Sequence, residues 1–269
     1  MSSITRRSPR AAWATALACL VALLAAAAPA TAADRYVALG DSYSSGVGTR
    51  SYTLDSTCQR GVYAYPYLLA QQRANTSLVF VACGGATTTT LMNTQIASVT
   101  STTTLVSVTI GGNDAGFSSV ITECAQPAWL SDCAGKVTTA QNFIRNTLPG
   151  RLNTVYSAIK SRAAAGAKIV VLGYPRIFNG EDCNAGTFFS PDDETRLNAT
   201  ADLMRDTIKA RAAAYGLPFR DVIPPFVGHA VCDTTEWLNG LSSPTSESYH
   251  PNRTGHASGY LPLARQVLG

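Results

Sequence analysis

From residue 33 onward, short apolar runs alternate with longer stretches in which apolar side chains recur at helical spacing. Residues 36–39, 78–82, 104–110 and 168–172 are nearly continuous apolar runs, the pattern of strands buried on both faces. Residues 218–222 form a fifth, weaker one. Residues 63–73 predict a helix with Tyr67, Leu68 and Leu69 on its apolar side, and residues 87–90 supply threonines able to cap a short one. Val137, Ile144, Leu148, Leu152, Val155 and Ile159 recur at helical spacing, and Pro149-Gly150 predicts a kink or two abutting helices there. Ser190-Pro191-Asp192-Asp193 is a helix start, with a serine cap, proline in the first turn and acids beside the positive end of the dipole. Leu197, Ala201, Met204, Ile208 and Tyr215 continue that helix to Gly216, and a last helix is expected from about Gly255 to Val267. Residues 47–61, 115–136 and 224–252 read as loops. Strand and helix alternate five times, which predicts an α/β fold: a five-stranded parallel sheet with helices on both faces. No internal repeat or linker divides residues 33–269, so one domain is expected.

Residues 1–32 stand apart. Arg6, Arg7 and Arg10 precede an apolar run and an Ala30-Thr31-Ala32 cleavage signal, which together read as a secretory signal peptide. Its three arginines belong to the 21 basic residues of the chain, so 18 basic remain against 17 acidic, a net of about +1. That near-neutral balance offers no electrostatic footprint for nucleic acid. Of seven cysteines, Cys19 lies in the leader; Cys58, Cys83, Cys124, Cys133, Cys183 and Cys232 remain. An even number in an exported chain points to disulfides, whose pairing the spacing leaves open. A zinc site is the alternative, weakened by the absence of any C-x-x-C.

The chemistry gathers where apolar runs end. Gly40-Asp41-Ser42 follows the first, Cys83-Gly84-Gly85-Ala86 the second and Gly111-Gly112-Asn113-Asp114 the third. With a flavodoxin-like strand order of 2-1-3-4-5, the three clusters sit side by side at the switch point of the sheet. Ser42 is then a candidate nucleophile. The N–H groups of Ser42 and Gly85 and the Asn113 amide are candidate oxyanion donors. Of three histidines, His250 in Ser248-Tyr249-His250-Pro251-Asn252 has the context of a general base; His229 and His256 lack it. Asp41 and Asp114 read as turn residues, and nothing places Asp221 beside His250. Trp129 and Trp237 are candidates for an acyl pocket or for core packing.

Gly40-Asp41-Ser42, Gly85, Gly111-Gly112-Asn113-Asp114 and His250-Pro251-Asn252, in this order across the chain after its leader, resemble the four blocks of the SGNH (GDSL) hydrolase family. The sequence looks most like its secreted bacterial lipases and phospholipases. The resemblance implies a three-layer α/β/α fold, no metal or other cofactor, and disulfides paired in sequence order: Cys58–Cys83, Cys124–Cys133 and Cys183–Cys232. It carries over Ser42 as nucleophile, His250 as base, and Gly85 and Asn113 as oxyanion donors. Many members place an aspartate three residues before the histidine, where this chain has Glu247. Other secreted members use a main-chain carbonyl two residues before it, which here belongs to Ser248; the resemblance favours that carbonyl. The implied activity is a secreted carboxylic-ester hydrolase acting on lipids. Transient contact with lipid surfaces is expected of such an enzyme, and a monomer is expected because the sequence shows no partner surface. The alternative is a polysaccharide acetylesterase of the same family. A phosphate-cradling flavin carrier, suggested by the Ser/Gly-rich loop after the first strand, is opposed by the later blocks.

Overall fold

The computed structural model describes residues 1–4 and 33–269. The leader expected at residues 1–32 lies, beyond its first four residues, outside them. Ala33–Gly269 form one compact unit.

The chain runs β1 (Asp34–Gly40), α1 (Ser42–Ser45), α2 (Tyr65–Gln71), β2 (Thr76–Phe80), α3 (Thr88–Thr90), β3 (Leu105–Thr109), α4 (Phe117–Cys124), α5 (Cys133–Asn146), α6 (Leu148–Arg162), β4 (Lys168–Leu172), α7 (Pro191–Ala214), β5 (Phe219–Arg220), α8 (Ile223–Phe226) and α9 (Leu261–Leu268). All strand pairs are parallel, in the order β2-β1-β3-β4-β5. Val37 at the centre of β1 pairs with Val79 on one side and Val106 on the other. α2 and α9 pack together, and α5, α6 and α7 pack on one another; the right-handed rule for parallel crossovers puts the two groups on opposite faces of the sheet. Buried Tyr36, Leu39, Val106, Val108, Val170, Leu148, Leu152, Val155 and Ile159 fill the space between the layers.

Local chemistry explains most boundaries. Pro149 lies in the first turn of α6, where its missing N–H has no intrahelical role, so the interrupted stretch is two abutting helices. Ser190 caps α7 in a reciprocal capping box with Asp193. Pro66 opens α2 at Tyr65, two residues later than the pattern predicted. The second strand lies two residues earlier than expected. Past Phe80, the N–H groups of both Val81 and Ala82 converge on the Ala38 carbonyl, which breaks the ladder.

Two loop expectations are corrected: residues 115–136 hold α4 and the start of α5, and the expected loop at 224–252 begins inside α8. Phe117, Val120, Ile121 and Cys124 do repeat at i, i+3, i+4 and i+7, but the serines between them and the preceding glycines obscure the signal. The expected loop at 224–252 holds a 3₁₀ turn at Thr245–Glu247, and the final helix begins as a π turn at Gly255–Tyr260. Three disulfides join Cys58 to Cys83, Cys124 to Cys133 and Cys183 to Cys232. With all six sulfurs taken up, the thiol-based zinc alternative falls.

Candidate active site

The strand ends meet as the order requires. β1 stops at Gly40, whose φ of +129° suits glycine and where a Cβ would lie 2.4 Å from the Thr109 carbonyl oxygen. The buried Gln95 side chain clamps the same residue, accepting from Gly40 N–H at 2.8 Å and donating to its carbonyl at 2.9 Å. Asp41 N–H donates to the Thr109 carbonyl, and Asp41 Oδ1 caps α1 by accepting from Tyr43 N–H at 3.0 Å. Ser42 is therefore the first residue of a one-turn helix, buried in the cleft. Cys83 N–H donates to the Gly40 carbonyl at 3.0 Å, and Asn113 Nδ2 donates to the Ala86 carbonyl at 3.0 Å. These two bonds lash the second cluster to the first and the third to the second. The N–H groups of Ser42 and Gly85 have no acceptor among the described residues, and one N–H of the Asn113 amide is left over.

His250 arrives from the other end of the chain. Its Nε2 lies 2.8 Å from Ser42 Oγ, and its Nδ1 lies 2.8 Å from the Ser248 carbonyl oxygen. The carbonyl can only accept, so Nδ1 carries the proton and Nε2 is free to accept from the serine hydroxyl. Burial pushes the imidazole down to about 4, against the smaller upward pull of that carbonyl. The ring is thus neutral, a base, at pH 7.

Glu247 is buried but turned away from His250. Its carboxylate accepts from Gly48 N–H at 2.8 Å and from the Tyr52 hydroxyl. Gly48, at φ +97°, passes so close that a Cβ there would stand 2.9 Å from the His250 Cβ. Asn239 Nδ2 donates to the Gly48 carbonyl, and the Asn239 backbone brackets Tyr249 and His250. So Glu247 fixes the loop against which the histidine rests rather than the imidazole itself.

Two tyrosines join the parts. Tyr43 donates to the Tyr249 carbonyl at 2.7 Å, and its ring lies edge-on to Tyr174 with centroids 5.0 Å apart. The Tyr174 hydroxyl donates to Asp41 Oδ2 and accepts from Gly112 N–H at 3.0 Å. Burial pushes the Asp41 carboxyl up to about 7, against the lowering by those hydrogen bonds. Asp114 accepts from Thr88 and from Arg151, anchoring the third cluster to α3 and α6. Tyr43, Gly48, Tyr174 and Asn239 escaped the sequence reading. Only the position of Tyr43 beside Ser42 hinted at a role.

From Ser42 and Asn113 an apolar cleft extends between α4, α5 and α7; Val120, Ile144, Leu197, Ala201 and Met204 help line it. Neither tryptophan does. Trp129 is exposed, and Trp237 stacks on His229 with centroids 3.8 Å apart. His256 is buried beside Tyr65, whose N–H it accepts. Asp221 accepts from Ile223 N–H at the far edge of the sheet.

A parallel three-layer sheet with a serine–imidazole pair at its strand ends is the framework of a carboxylic-ester hydrolase. The chain belongs to the GDSL-like lipase/acylhydrolase family, whose model matches residues 38–257. A lipase of Streptomyces rimosus is 44% identical over 266 residues, 96% of this chain and 98% of the relative. The crystal structure of an extracellular lipase from S. rimosus matches 87% of this chain and all of its own at 42% identity, with a TM-score of 0.81. That of phospholipase A1 from Streptomyces albidoflavus NA297 matches 88% of this chain and all of its own at 43% identity, with a TM-score of 0.82.

Proposed function

We propose that the protein is an exported serine hydrolase that releases fatty acids from lipid esters, with phospholipase A activity, through a Ser42–His250 dyad. The observation that carries this reading is the 2.8 Å contact between His250 Nε2 and Ser42 Oγ at the mouth of the apolar cavity. The leader, the three disulfides and the extracellular relative support export.

Ser42 Oγ attacks the ester carbonyl while His250 Nε2 takes its proton. Ser42 N–H, Gly85 N–H and the free N–H of Asn113 donate to the oxyanion. Such preorganised donors are each worth about 3 kcal/mol of barrier. The imidazolium, held by the Ser248 carbonyl, returns the proton to the leaving alcohol, and a water repeats the sequence to free the acid and Ser42. The acyl chain lies between α4, α5 and α7. The apolar lining of that cleft, with hardly a polar group beyond Thr200 away from the catalytic end, suits an acyl chain better than a sugar, which favours lipid esters over acetylated polysaccharide.

The test is a panel of p-nitrophenyl esters from acetyl to long-chain, with a phospholipid and an acetylated xylan, for wild type and Ser42→Ala. Long-chain and phospholipid hydrolysis lost in the variant is the expected result. Activity confined to acetyl esters would move the assignment to the polysaccharide acetylesterase. Turnover surviving in Ser42→Ala would sink the mechanism.

A further inference from the structure

The segment between α4 and α5 is held on all sides yet shows its apolar side chains to water. Cys124 and Cys133 are bonded across it. Leu130 and Ser131 N–H groups both donate to the Pro127 carbonyl, Ser131 Oγ donates to the Glu123 carbonyl, and Asp132 N–H donates to the Glu123 carboxylate. Despite this restraint Trp129 is 82% exposed and Leu130 64%. Phe188, 55% exposed, adjoins them through its N–H bond to the Ala125 carbonyl. Leu241, exposed as well, borders the same 184–187 loop, its N–H donating to the Asn184 side chain. Scattered exposed apolar residues are ordinary, but large ones gathered on linked, rigid loops are not.

α4 links the patch to the acyl cavity. α4 turns Phe117, Val120 and Ile121 into that cavity and one turn later delivers Cys124 and the Trp129–Leu130 tip. We infer that Trp129, Leu130 and Phe188 form a lipid-surface anchor that seats the mouth of the cavity on a zwitterionic membrane or micelle. This rests on the lipid-ester reading of the site. The charges flanking the patch on its own segments are mainly acidic, Glu123, Asp132 and Glu181 against Lys136, which selects a surface without net negative charge. Burying these side chains among acyl chains is driven by apolar area, and the staple has already removed most of the loop's freedom. The anchor also accounts for an indole and an isobutyl group left in water by an otherwise well-ordered turn.

The experiment compares the exported protein with Trp129→Ser/Leu130→Ser and, separately, Phe188→Ser. Binding is measured by co-sedimentation with vesicles of ether-linked phosphatidylcholine, which the enzyme cannot cleave, and by quenching of tryptophan emission with brominated lipid. The double variant should bind at least about tenfold more weakly and lose the quenching, with hydrolysis of a soluble short-chain ester within about twofold of wild type. Phe188→Ser should follow in the same direction. Equal vesicle affinity in wild type and double variant would overturn the anchor, as would salt-sensitive binding confined to anionic vesicles. If instead wild type fails to hydrolyse long-chain esters dispersed as detergent-solubilised monomers, the lipid-ester reading falls, and that result is independent of vesicle binding.

Discussion

Glu247 decides between a triad and a dyad, and its surroundings allow the consequences of replacing it to be worked out. Its carboxylate sits at 2.8 Å from Gly48 N–H and also accepts from Tyr52, and it makes no bond to His250. Glu247→Ala therefore leaves Gly48 N–H with only its longer 3.2 Å bond to the Tyr52 hydroxyl, and removes a charge-assisted bond to that half-buried hydroxyl worth about 1.5–3 kcal/mol. Gly48 N–H keeps its bond to Tyr52 and water replaces part of the second loss, so a total of about 2 kcal/mol is expected. Glu247→Gln keeps an oxygen for Gly48 N–H and should lose about half as much. The rate should behave differently. The Ser248 carbonyl still holds Nδ1–H, so kcat of the Gln variant should stay within about threefold of wild type. Removal of a true triad acid lowers kcat by about 10⁴. Urea unfolding with the disulfides intact gives the stability change, and saturation kinetics on a soluble ester give kcat. A fall of about a hundredfold or more in a natively folded Glu247→Gln would refute the dyad.

Three further outcomes are expected. The base is active only when neutral, so kcat/KM should hold as pH falls through 6 and drop tenfold per unit only below about 4, where His250 takes a proton; an acid limb at the ordinary histidine position would contradict the burial argument. Tyr174→Phe removes the acceptor for Gly112 N–H and the donor to Asp41 while keeping the ring, so kcat should fall about tenfold to a hundredfold with KM little changed; an unaltered kcat would show that the tyrosine does not position the oxyanion donors. Ala201→Phe adds bulk to the α7 wall of the acyl cavity and should lower the long-chain to acetyl activity ratio at least about tenfold, an unmoved ratio locating the acyl chain elsewhere.

The three small and polar clusters were legible because each sits where an apolar run stops. A buried parallel strand must be nearly all apolar, so Gly40-Asp41-Ser42 and Gly111-Gly112-Asn113 stand out as abrupt changes. The capping box at Ser190 and Pro149 in the first turn of α6 were legible for a related reason, since capping and proline geometry act within a few residues. α4 was hidden because its Gly- and Ser-rich context weakens a periodicity that only packing against α5 and the acyl cavity makes worthwhile. Trp129 was open to two readings, and its exposure fits neither, because a side chain's environment depends on chain segments far away in sequence.

The sequence by itself determined the strands and the class of sheet they form, and singled out Ser42, Gly85, Asn113 and His250 as candidates, since these follow from local pattern and from residue types that few other chemistries need. The tertiary structure alone decided which acceptor meets His250. Glu247 and Ser248 are adjacent, and only the path of the chain, with Tyr249 at φ +61° and Gly48 and Asn239 packed against the loop, turns the carboxylate away and the carbonyl inward. It alone tied Tyr43 and Tyr174 to three separate loops. Contacts between residues about two hundred positions apart are fixed by the closing of the whole sheet and its layers, and no local spacing encodes them.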